Sequence, residues 1–193
     1  MADLTNPMRC RANGFTTLAI MSLALSSCSP ASSAAQIFGR RGARVSPHET
    51  AHSIVDGATI DITYGRPFMR GRKIFGGLVP YGRVWMPGAD EATIFTTSSP
   101  LRFSRVLLPA GSYSLYTSPS EAGWRLIINT LTGQWHTLYR ADQDFTRLEM
   151  TLDHLAQPVE QLTIAAVARD GGGGQIQLEW ESTRVSTPFT VER

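Results

Sequence analysis

Short stretches in which apolar and polar residues alternate strictly, broken by glycine and proline, constrain this chain more than any other feature. Ile60, Ile62 and Tyr64 alternate with Thr59, Asp61 and Thr63, the period of a strand with one buried face. Just before them, Asp56-Gly57 supplies the positive φ that a type I′ turn needs, so residues 54–56 and 59–64 are expected to pair as a β-hairpin. Similar stretches recur at 91–97, 101–107, 112–117, 124–129, 147–153, 161–168, 175–181 and 189–191, with clear turn signals at Pro109-Ala110-Gly111 and at 170–174. Only Trp135, Leu138, Tyr139, Asp142 and Phe145 have helical spacing. The pattern predicts an all-β domain, a β-sandwich of about 8–10 mainly antiparallel strands with at most one short helix. Ile176, Leu178 and Trp180 should face its core while Gln177 and Glu179 face water.

The first part of the chain reads differently. Arg9 and Arg11 precede an apolar run from Phe15 to Leu25, the layout of a secretory signal peptide and too short for a transmembrane helix. The run ends in Leu25-Ser26-Ser27-Cys28, which resembles a bacterial lipobox, in which the cysteine sulfur carries the lipid. Residues 1–27 are therefore expected to be a lipoprotein-type leader, Cys28 the lipidated N-terminus, and 28–44 a flexible tether rich in Ser, Ala, Gly and Arg. Ordinary cleavage after Ala35, giving a soluble secreted or periplasmic protein, is the alternative. Residues 45–193 would form one domain, long enough to bury a core without staples. The only cysteines are Cys10 and Cys28, so that domain has no thiol for a disulfide or a metal. With a formal charge of +2 over the whole chain, it lacks the broad basic field of a nucleic-acid binder. The expected partners are the membrane, through the lipid, and a small polar ligand or an envelope protein.

Candidate chemistry concentrates in residues 65–88, the least strand-like part of the domain, with six glycines, three prolines and five basic residues (Arg66, Arg70, Arg72, Lys73, Arg83) but no acid. Long irregular loops in compact domains tend to be functional, and arginine forks suit carboxylate or phosphate. The same arginines could instead clamp the loop by pairing with Asp61, Asp90 and Glu91. A P-loop is excluded, because Gly77 and Leu78 stand where lysine and serine or threonine are required. His48-Glu49-Thr50-Ala51-His52 spells H-E-x-x-H, which on a helix holds zinc with two imidazoles while the glutamate activates water. The Asp56-Gly57 turn leaves room for about two helical turns at most, and no third ligand is evident. On a strand His48 and His52 share a side and Glu49 faces the other. No cofactor is expected, and metal binding by His48 and His52 is the minor alternative. Trp124 and Trp180 fall on expected strands and read as core, whereas Trp85 and Trp135 lie near loops.

Six ordered motifs carry a resemblance: SPHET at 46–50, DGATIDITYGRP at 56–67, GRKIFGGLVPYGRVW at 71–85, GADEAT at 88–93, LPAGSYSLYT at 108–117 and WRLIINTLTGQW at 124–135. Together they resemble the bacterial family called domain of unknown function 2911, over about residues 44–192. The resemblance implies an exported bacterial protein and no assigned activity. Matched position by position, the motif residues are His48, Tyr64, Arg66, Gly71, Arg72, Gly82, Trp85, Glu91, Tyr113 and Trp135. Two departures stand out: Met86 follows the tryptophan where arginine is frequent in the family, and His52 is not part of its pattern.

These readings lead to one expectation and two alternatives. The leading one is an envelope lipoprotein that binds a small polar or anionic ligand, or an envelope partner, through His48, Tyr64, Arg66, Arg72, Trp85, Glu91, Tyr113 and Trp135. A hydrolase using His48 with Glu49 or Glu91 as general base, with or without zinc, is the enzyme alternative. A structural or assembly role is the other.

Overall fold

The computed structural model describes residues 45–192. The leader, Cys28 and the tether lie outside the described residues. Nine strands follow in chain order: β1 (His48–Val55), β2 (Ala58–Gly65), β3 (Ile94–Thr97), β4 (Leu101–Phe103), β5 (Val106–Leu108), β6 (Gly111–Pro119), β7 (Trp124–Asn129), β8 (Asp144–Ala168) and β9 (Gly174–Val191). All strand pairs are antiparallel, in the order β1-β2-β3-β6-β7-β8-β9-β4-β5. The all-β prediction and its strand number hold. Among the described residues no helix is long and apolar enough to cross a membrane.

The hairpin forms as its turn residues require. Asp56 and Gly57 have φ of 46° and 85°, both positive as a type I′ turn demands, and Val55 pairs with Ala58 across them. Beyond the turn, period-two burial places Ile60, Ile62 and Tyr64 inside, each isoleucine contributing roughly 1.5–3 kcal/mol by leaving water. Ile176, Leu178 and Trp180 are likewise buried on β9, with Gln177 and Glu179 partly exposed between them.

Three strand readings and one helical reading differ from the pattern. The 147–153 and 161–168 stretches join into one long β8, and 175–181 and 189–191 into one long β9; their shared ladder shifts register between His154 and Val159 and again between Val159 and Thr163. Such irregularities bend a strand without ending it, so a break in alternation is not a break in the strand. Residues 101–107 split into β4 and β5, because Ser104 takes a φ of 52° and turns the chain. The helical spacing at 135–145 yields only a three-residue 3-10 turn, Ala141–Gln143; Leu138 and Phe145 are exposed, so no buried apolar face stabilises a longer helix.

The sheet folds back on itself. From the end of β2 and the residues after it, the Tyr64 hydroxyl accepts a hydrogen bond from the Ile164 backbone (2.8 Å), and Phe68 bridges Gln161. The opposed faces enclose one main core, built around Trp124, Trp180, Phe95, Phe103 and Ile74.

Candidate functional site

The segment between β2 and β3 is anchored to the sheet through its apolar residues, with residues 70–73 and 80–83 left exposed. Its first part lies along β8, with Met69 N–H donating to Glu160 O (2.7 Å) and Leu162 N–H to Pro67 O (3.0 Å). Arg70 and Gly71, at φ 50° and 68°, then turn the chain. Ile74, Phe75 and Val79 are buried; Phe75 meets Trp124, Trp85 and Trp180 edge-on, at centroid distances of 4.8, 5.9 and 6.3 Å. The segment leaves through Trp85, which exchanges backbone hydrogen bonds with Thr117 (2.8 and 2.7 Å) and stacks on Trp180 at 6.1 Å. Glycines and prolines make the path irregular, and the apolar residues between them pin it down.

Between this segment and the loop after β7 lies a cleft of about 830 Å³. Arg70, Arg72, Phe68, Trp85, Trp180, Tyr116, His136 and Tyr139 are among the residues that line it. Aspartate and glutamate are absent from the lining among the described residues. Its polar walls are braced. The Tyr116 hydroxyl donates to Leu138 O (2.8 Å) and accepts from Gln134 Nε2 (2.8 Å). Tyr139 donates to Asp144 Oδ2 (2.6 Å) and accepts from Arg147 (2.9 Å); burial, then the hydrogen bond to Asp144, push its phenol up to about 12. His136 donates from Nδ1 to Asp90 O at 2.6 Å, which fixes the orientation of its ring.

The expected arginine cluster divides. Arg66 is consumed: Nε donates to Leu162 O (3.1 Å), Nη2 to Thr163 Oγ1 (3.0 Å) and Nη1 to Glu49. It clamps β1 to β8, with Glu49 as its acid rather than any of the three carboxylates the sequence offered. Arg72 donates Nε and Nη2 to the carbonyls of Met69 (3.0 Å) and Phe68 (2.6 Å), which orients its guanidinium beside the cleft. The Arg70 side chain has no partner among the described residues.

The other expected site residues also separate. Tyr64 is buried with its hydroxyl bonded to β8, and burial raises its pKa. Tyr113 is buried too and donates to Pro109 O (3.0 Å). Both hydroxyls are engaged in the fold and neither residue lines the cleft. Trp135 is 51% exposed, bridges Glu91 and lies outside the cleft. Trp85 alone joins Arg72 there. Of the residues sequence reasoning missed, Arg70 was visible only as one of five basic residues, while Tyr116 and Trp180 carried no signal beyond strand alternation.

His48-Glu49-Thr50-Ala51-His52 lies on β1, not on a helix. Four residues of strand separate His48 from His52 by about 13 Å, so they cannot share an ion. His52 instead pairs with Asp61 at 2.6 Å, and Glu49 with Arg66. His48 meets the residues that precede β3: its Nε2 is 3.1 Å from Glu91 Oε2 and 3.7 Å from Asp90 Oδ2. This juxtaposition depends on Gly65, which pairs with His48 and whose absent Cβ would fall 2.3 Å from Ala89 O.

An all-β domain with an arginine- and aromatic-lined cleft is thus the class that fold and site define. Residues 46–189 match the model of the family described as "Protein of unknown function (DUF2911)", and the chain belongs to that family. No curated protein and no solved structure matches it.

Proposed function

We propose that the domain binds a small anionic molecule with a planar or apolar portion in the 830 Å³ cleft. The observation that carries this reading is the lining: two arginines and a histidine, aromatic walls and no acid among the described residues. The volume suits a small ligand, and convergent polar groups on apolar walls are what orient one. Arg72 is presented by two backbone carbonyls, so little side-chain entropy is lost when it meets an anion. Braced tyrosines add rigid surface.

Thermal shift with phenyl phosphate, inorganic phosphate and phenol tests it. Phenyl phosphate should stabilise the full chain, by about 1.4 kcal/mol at ten times its Kd, more than either fragment at equal concentration. The gain should vanish in Arg70→Ala/Arg72→Ala. Equal stabilisation of that variant, or none of the wild type, would overturn the reading.

The sequence further supports export and anchoring at a bacterial envelope through a lipid on Cys28. Mass spectrometry of the mature N-terminus tests this; an unmodified peptide beginning at Gln36 would reject it.

A further inference from the structure

We propose that His48 Nε2, Asp90 Oδ2 and Glu91 Oε2 form a three-ligand site for a divalent transition-metal cation, with Zn²⁺ the best-matched ion. The three atoms lie within 4.8 Å of one another, and the imidazole nitrogen is 3.1 and 3.7 Å from the two carboxylate oxygens. Ligands about 2.0–2.2 Å from a tetrahedral zinc lie roughly 3.3–3.6 Å apart, so small side-chain adjustments would complete the geometry. One imidazole with two carboxylates suits zinc better than the all-oxygen shells of calcium or magnesium.

A second observation points the same way. His48 Nε2 is shielded from solvent, yet no hydrogen bond satisfies it, although both carboxylates lie within ion-pair range. A buried ring nitrogen rarely goes without a hydrogen bond, and a nitrogen flanked by two carboxylate oxygens stands where one cation would meet all three. The frame is rigid. Asp90 has a φ of 69°, and its carbonyl accepts hydrogen bonds from both the backbone N–H (3.1 Å) and Nδ1 (2.6 Å) of His136. His48 opens β1 opposite Gly65, whose close approach to Ala89 holds the two strands of chain together. Three protein ligands leave a coordination position for water or a bound anion. Ser46 and Gly88, two residues from His48 and from Asp90, both line the cleft, although the metal site stands independently of what the cleft binds.

The test is zinc titration of the full chain after removal of metal with a chelator, followed by calorimetry and elemental analysis, with Co²⁺ as a spectroscopic substitute. Wild type should bind zinc stoichiometrically and give a visible Co²⁺ band. His48→Ala and Asp90→Asn should each weaken binding by at least about tenfold and abolish the band, whereas His52→Ala should change affinity less than about twofold, since its imidazole is committed to Asp61. His48→Gln, with its fold checked by circular dichroism, separates ligand loss from misfolding. Absence of stoichiometric zinc in wild type, undiminished affinity in a folded His48→Gln chain, or loss through His52→Ala instead would overturn the proposal.

Discussion

Replacing Phe75 with alanine should detach the segment between β2 and β3 from the core. Phe75 is 4% exposed and meets three tryptophan rings at interplanar angles of 75–85°. Truncating a buried phenylalanine costs about 3–5 kcal/mol, a large fraction of the roughly 5–15 kcal/mol that holds a domain folded. At about 2–4 °C per kcal/mol for a domain near this size, the melting temperature should fall by roughly 6–20 °C. Phe75→Leu keeps most of the apolar volume but loses three edge-to-face pairs, at about 0.5 kcal/mol or more each, so its cost should be smaller, about 1.5 kcal/mol. Urea unfolding followed by circular dichroism measures both. A Phe75→Ala cost under about 1 kcal/mol at unchanged m-value, or equal costs for the two variants, would refute the view that this ring pins the segment.

Other outcomes follow from single contacts. Gly65→Ala drives a Cβ to 2.3 Å from the Ala89 carbonyl; because backbone rather than a flexible side chain must yield, urea unfolding should register a loss of about 1–3 kcal/mol. Gly57→Ala meets no neighbour but must hold a φ of 85°, which should cost about 1–2 kcal/mol by the same assay. The Tyr139 phenol, raised from 10.0 to about 12 by burial and by Asp144, should ionise late in an ultraviolet titration. Its raised folded pKa means that the unfolded chain loses the proton first. Its contribution to stability is therefore full below pH 10 and declines as pH rises toward about 12. Tyr139→Phe should remove that decline, and an unaltered pH profile in the variant would contradict the assignment.

The sequence by itself determined the local geometry: period-two alternation set which side of each strand is buried, as at Ile176, Leu178 and Trp180, and Asp56-Gly57 set the hairpin turn, because these depend on neighbours along the chain. It also carried the family, through motifs whose order survives any arrangement in space. Pairing across long distances was decided only by the tertiary structure. Arg66 is sequestered by Glu49 and β8, while Arg72, six residues on, is turned to the cleft by carbonyls beside it; composition gives both the same charge. His48 stands beside Asp90 and Glu91 rather than four residues away with His52, since a strand separates what a helix would have gathered and packing brings in what the sequence holds far apart. Long-range contacts of this kind depend on how a bent sheet closes, which no short window of residues contains.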